Sequence, residues 1–301
     1  MKSDKNSSSN NSMKTGEPVS GFPLSFTWQK EWEPLFDKQI QFLQLEIMRA
    51  RAENRLLVYL SCPISSRGGG WSGTNVDIAK HVERLLLERW GESFWILNPA
   101  QYQLESKAGR GLFDEYAKQL NIDLSKLGMP TGGDYMRMWT KVLVEDNQDN
   151  LGRNFDAFYF LGPRDVLSFF SQDETLTLTN GIQAYFARKF AFDPEFRDTF
   201  SLSTITWGEI PNISDLDQRN KWIKMRTDFL RFYGLRASAN FSLGSHDEWA
   251  ILNLVNAGRR KKSITPDKVD GDVGDQLAAF FDGIQVDPAA SQATISKGYA
   301  V

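Results

Sequence analysis

Between residues 28 and 54 the apolar positions Trp32, Leu35, Phe36, Ile40, Phe42, Leu43, Leu45, Ile47 and Met48 recur at roughly helical spacing, which predicts one long helix turned toward a core. Residues 56–62 break that rhythm. Leu56, Leu57, Val58, Tyr59 and Leu60 form a continuous apolar run that Ser61, Cys62 and Pro63 bring to an end, the pattern of a short strand buried on both faces. A loop follows. Thr74 stands where it can cap a helix over 75–90, whose inner face carries Val76, Ile78, Ala79, Val82, Leu85 and Leu86. Gly91 ends that helix, and 94–99 predict a second buried strand.

The stretch 100–131 is looser, with a short helix near 114–120. Gly132, Gly133 and Asp134 open a helix over 135–145, and 155–161 read as a third strand closed by Gly162 and Pro163. A helix over 181–190 follows a Ser/Asp/Thr-rich stretch. Strands alternating with helices at this spacing predict an α/β fold with a parallel, helix-flanked sheet of Rossmann-like or flavodoxin-like type. Beyond 200 the pattern changes to one further strand at 202–207 and then mainly helices, over 214–232, 245–257 and 274–281. The division that results is a disordered lead over 1–20, an α/β nucleotide-binding-type domain over 21–200, a mainly helical C-terminal subdomain or lid over 201–285 and a polar tail over 286–301. The aromatic residues of the C-terminal helices suit a lid, a small second domain or a homo-oligomer interface, with plain core packing as the default.

Composition removes several classes of function. A net charge of −3 gives no basic field for DNA or RNA. The one basic run, Arg259, Arg260, Lys261 and Lys262, fits a solvated helix end. One cysteine, Cys62, and two histidines, His81 and His246, exclude an internal disulfide framework and make a cysteine or histidine metal centre improbable. An oxygen-ligated Mg²⁺ is left open but has no motif here, and no cofactor is expected. No apolar run approaches the ~20 residues that cross a bilayer, and the Ser/Asn/Lys-rich lead lacks the hydrophobic segment of a signal peptide. The expected compartment is the cytoplasm, with no membrane partner.

The chemistry points to the loop over 61–75. In an open α/β sheet, ligands sit outside the carboxyl ends of the strands. Gly68, Gly69 and Gly70 let backbone N–H groups approach a ligand closely. Arg67 and the hydroxyls of Ser61, Ser65, Ser66 and Ser72 add donors, the helix start at Thr74 adds partial positive charge, and Trp71 could stack on a base. The set suits a phosphate or a sugar, although it matches neither the dinucleotide fingerprint nor the P-loop.

Tyr59-Leu60-Ser61-Cys62-Pro63-Ile64-Ser65-Ser66-Arg67-Gly68-Gly69 resembles the first-strand signature of the nucleoside 2-deoxyribosyltransferase-like superfamily, which includes nucleotide N-glycosidases. An acidic helix (Asp134 through Asp146) followed by a strand beginning Phe155-Asp156-Ala157 is similar in order, and the likeness spans about 56–190. The resemblance implies a nucleoside or nucleotide ligand and cleavage or transfer at an N-glycosidic bond, with one carboxylate acting on the sugar and a second managing a proton. It places the glutamate on a helix after the third strand, where this chain reads Gly181-Ile182-Gln183. An amide cannot serve as that nucleophile. Either Glu174 supplies the carboxylate from a shifted position, or the chain is a non-catalytic nucleotide-sensing or protein-interaction module. Asp146 is the candidate for the assisting carboxylate, with solvent exposure as its alternative. Tyr59 is read toward the sugar or as core, and Asp134 as a helix cap with room for ligand contact. Asp156 is read as structural, at the wrong end of the sheet.

The remaining polar groups have plainer readings. Cys62 has no histidine partner and is expected to be a small buried side chain. Ser245 and Glu248 are spaced as a capping box around His246, a weaker candidate general base. His81 is expected on a solvent-exposed helix face.

Overall fold

The computed structural model of the chain describes residues 13–15, 19–65, 69–104, 107–123, 127–146, 149–172, 176–199, 216–239, 242–263 and 276–287. Strands β1 (Met13–Thr15) and β2 (Thr27–Gln29) pair antiparallel, so part of the segment read as a disordered lead forms a strand. The apolar periodicity after it becomes helix α1 (Glu33–Ala52), with Pro34 in its first turn and Leu35, Phe36, Ile40, Leu43 and Ile47 buried. The continuous apolar run becomes β3 (Leu56–Ser61), followed by α2 (Gly73–Trp90), β4 (Phe94–Leu97) and α3 (Lys107–Gln119). Helix α4 (Gly132–Val144) then leads to β5 (Ala157–Phe160), and α5 (Pro163–Phe170) to α6 (Leu178–Phe192) and α7 (Pro194–Thr199). Helices α8 (Leu216–Arg236) and α9 (Leu243–Ser263) precede β6 (Ala278–Phe281) and β7 (Ile284–Val286). The expected strand at 202–207 lies outside the described residues, as does nearly all of the expected tail.

The chain is a mixed α/β protein. Its main sheet runs β4-β3-β5-β6-β7, with β3, β4, β5 and β6 parallel and β7 antiparallel at one edge. The chain leaves β3 toward β4 on one side and β5 toward β6 on the other, so the strand order reverses between β3 and β5. Side chains alternate across the sheet. Leu57, Tyr59, Phe158 and Phe160 pack beneath α1, α4 and α9, whereas Val58, Leu60, Cys62 and Tyr159 pack against α2, α5, α6 and α8. Both faces are covered, which is why the strands are apolar throughout.

Of the helix expected over 274–281, residues 274 and 275 lie outside the described residues, and 278–281 are instead strand β6, the first arm of the β6–β7 hairpin. Asp282 and Gly283 occupy its two-residue turn with φ of 54° and 81°, the left-handed geometry that an Asp-Gly pair favours. A region read as a helical C-terminal portion therefore contributes two strands to the central sheet, alongside helices α8 and α9. Gly283→Ala should cost about 1 kcal/mol, because a Cβ is unfavourable at that φ. A lower urea midpoint with an unchanged slope would show it, and no change would mean the turn tolerates a side chain.

The basic run at the end of α9 also departs from a plain solvated end. Arg259 is buried, donating to the carbonyls of Leu151 and Gly152 at 2.8 Å each, and Lys262 pairs with Asp149 at 2.9 Å. These contacts anchor the end of α9 beside the entry to β5. Its beginning lies at the opposite, carboxyl end of β3.

Candidate functional site

Tyr59 and Ser61 are two residues apart on β3, so both project from the same face toward α9. There they meet one carboxylate. The Tyr59 hydroxyl donates to Glu248 Oε1 at 2.6 Å, and the Ser61 hydroxyl donates to Oε2. Glu248 is only 5% exposed. Burial pushes its carboxyl up to about 7, against the stabilising bonds from Ser61 and Tyr59, and neighbouring Asp247 adds to the rise. Burial, then the charge of Glu248, likewise holds the Tyr59 hydroxyl well above its ordinary range. A carboxyl poised near neutrality can give or take a proton, or attack as a carboxylate once ionised.

The opposite face of the same strand end is built differently. Cys62 is buried, its thiol 3.7 Å from Asn98 Oδ1, and burial pushes that thiol far up. It is the small buried side chain expected of it. Beyond it, Asn75 on the first turn of α2 accepts from the Tyr233 hydroxyl at 3.1 Å and from Arg236 at 2.9 Å, both on α8. Burial lowers the Arg236 guanidinium from its usual value. Gly69 is buried against α8, where an added Cβ would come within 2.9 Å of Phe232.

Of the residues singled out in the sequence, the fold brings Tyr59, Ser61, Ser65, Gly69, Gly70 and Trp71 to the carboxyl end of β3. Ser65 is exposed and offers its carbonyl to Asn75 at 2.7 Å. Gly70 takes φ of 79°, which suits a glycine. Trp71 is not an open stacking surface. Its ring packs edge-on to Phe196 at 5.2 Å, sits beneath the Lys189 ammonium at 4.8 Å and crowds Gly73. Arg67, Gly68 and Glu174 lie outside the described residues.

Two acids are placed elsewhere. Asp146, the expected assisting carboxylate, accepts backbone N–H groups from Asp149, Asn150, Leu151 and Arg153 at 2.8–3.2 Å. It shapes the turn into the amino end of β5, a strand's length from Ser61, and does not join Glu248. Asp134 is not itself the N-cap, as expected of it: Thr131 takes that place. Asp134, the third residue of the helix, closes a capping box with it and also accepts the Gln29 backbone N–H at 2.7 Å. Its oxygens are engaged in holding β2 to α4. Asp156 is structural as read, bound to Arg51 at 2.6 Å and to the Leu57 N–H at 2.7 Å.

The residue that sequence reasoning misassigned is Glu248. Its spacing from Ser245 matches a capping box, yet α9 begins at Leu243 and the Ser242 hydroxyl accepts the Ser245 N–H at 3.3 Å. Glu248 is thus one turn into the helix and free to face β3. The available signal was its spacing: Glu248 stands in helical register with Ile251, Leu252 and Val255, an acid on an otherwise apolar face. His81, expected to be exposed, is buried against Phe169 and lies 3.2 Å from the Ser168 hydroxyl.

Among the described residues, no group of three or more His, Cys, Asp or Glu side chains could hold a metal, and no helix is long and apolar enough to cross a membrane. Comparison with known protein families, characterised proteins and solved structures finds no match to this chain.

Proposed function

We propose that the chain binds a nucleoside or nucleotide at the carboxyl end of β3 and acts on its N-glycosidic bond through Glu248. The observation that carries this reading is the buried Glu248 carboxyl, gripped by Tyr59 and Ser61 beside the glycine-rich segment. The strand order supports a flavodoxin-like or Rossmann-like assignment, whose ligands sit where the order reverses. The resemblance asks for a glutamate on a helix after the third sheet strand; α9 supplies one, where α6 carries only Gln183.

In this reading the ionised carboxylate attacks or stabilises the anomeric carbon as the C–N bond breaks. The bonding pair leaves with the base, which takes up a proton; the oxygen of a water that gives up a proton then bonds the anomeric carbon and frees the carboxylate. Tyr59 and Ser61 orient the carboxylate and hold it at the end of the strand. Because Glu248 ionises at about 7, base release should climb as pH rises through that value.

The test is a panel of nucleosides and 5′-monophosphates assayed for free base. Release that disappears in Glu248→Gln supports the reading; release lost in Glu174→Ala but kept in Glu248→Gln would return the role to Glu174. The small exposure of Glu248, 5%, favours one other reading, a nucleotide-sensing or interaction module without turnover. Thermal stabilisation by a panel member with no base released would establish that alternative.

A further inference from the structure

We propose that Asn75 is the positioning residue of the β3 exit at Ile64 and Ser65 and that α8, through Tyr233 and Arg236, sets the place at which that exit and Gly69 meet a ligand. The proposal rests on the nucleoside or nucleotide reading for its consequence in binding, and on geometry alone for its mechanical part.

A primary amide has two N–H donors and one carbonyl that can accept twice. Asn75 uses all of them. Its Nδ2 donates to the carbonyls of Ile64 at 3.3 Å and Ser65 at 2.7 Å, while its Oδ1 accepts from Tyr233 and Arg236. Arg236 can only donate and the two backbone carbonyls can only accept, so the amide has one orientation. Asn75 is 2% exposed, and water cannot replace these partners without reopening the packing. One side chain thereby joins the exit of β3 to a helix 158 to 161 residues later in the chain.

Two further observations show the same coupling. The Tyr233 ring packs on Phe229 and Phe170 at 4.6 and 5.4 Å, so its hydroxyl is held by a rigid aromatic cluster. Gly69 presses against Phe232 and Tyr233 so closely that a Cβ would not fit without movement. Helix α8 is therefore the wall against which Gly69 stands directly and Ile64 and Ser65 are held through Asn75.

Asn75→Asp separates the two halves of the amide. A carboxylate still accepts from Tyr233 and Arg236, but it cannot donate to Ile64 and Ser65 and repels both carbonyls. Hydrogen exchange over 62–72 should become faster while exchange over α8 stays slow. KM for the panel member that is turned over should rise about tenfold or more, with kcat changed less. Tyr233→Phe keeps the ring and removes one donor, and should move both readouts in the same direction by less. If Asn75→Asp does not fold, Tyr233→Phe carries the same readouts.

Unchanged exchange over 62–72 overturns the proposal. So does equal acceleration over 62–72 and α8, which would make Asn75 a general stabiliser. Faster exchange with an unchanged KM removes the segment from ligand binding and overturns the functional half. A wild-type protein that neither binds nor cleaves any panel member defeats the nucleotide reading alone, and exchange still decides the role of Asn75.

Discussion

Glu248→Gln is expected to abolish base release and, above neutral pH, to make the fold more stable. The sign follows from where the proton sits. The folded carboxyl titrates at about 7, against 4.5 for an ordinary glutamate. Between those values the folded protein holds a proton that the unfolded chain has released, so stability falls as pH rises and levels off above about 7. The difference corresponds to about 3 kcal/mol at high pH. Glutamine has nearly the same shape and no charge to bury, and the Tyr59 and Ser61 hydroxyls can rotate to meet an amide. Urea unfolding at pH 5 and pH 8 checks this: the wild type should lose about 2–3 kcal/mol more than the variant between them, since part of the effect is already lost at pH 5. Equal losses would show that Glu248 titrates as an ordinary acid and would also weaken its proposed catalytic role.

Gly181→Ala should destabilise the protein by about 2–4 kcal/mol, through overpacking of two backbones. A Cβ at Gly181 would lie 1.9 Å from the Phe170 carbonyl oxygen and 2.9 Å from its carbon. Neither atom belongs to a side chain that can swing away, so α6 must move off the end of α5. That movement opens the cluster of Phe170, Tyr185, Phe186 and Phe229. Helix propensity alone predicts the reverse, since alanine is favoured over glycine inside a helix by about 1 kcal/mol. The two effects have opposite signs, which makes the measured urea midpoint decisive. Ala184, exposed on the same helix, is the control; Ala184→Gly should cost about 1 kcal/mol through propensity. A neutral or stabilising Gly181→Ala would mean that α5 and α6 are not in close backbone contact.

Gly181 also illustrates how a local pattern can mislead. In the sequence it begins Gly-Ile-Gln, the stretch compared with a glutamate motif, and the missing acid argues for lost chemistry. In the fold the glycine is explained by the approach of Phe170, and the acid facing the end of β3 comes from a helix more than sixty residues later, after α8. The hairpin of β6 and β7 shows a different limit. Asp282-Gly283 is a strong turn signal, but Leu277, Ala278, Ala279, Phe280 and Phe281 form a short apolar run whose period fits a buried helix turn as well as a strand. Pairing with β5 decided between them, because a strand there, between β5 and β7, satisfies the backbone of β5.

What the amino-acid sequence determined by itself was local in origin. Continuous apolar runs define β3, β4 and β5, and helical periodicity defines α1, α2, α4 and α6. The glycines after β3 could be recognised because they break both patterns. Those features follow from side-chain burial and backbone geometry over a few residues. Only the tertiary structure decided that α9 delivers Glu248 to Tyr59 and Ser61 across 187 to 189 residues, and that Asn75 answers to Tyr233 and Arg236. Hydrogen bonds between distant segments leave no periodicity in a chain; a buried carboxyl and a buried amide acquire their partners only when the sheet and the helices on its two faces close around them.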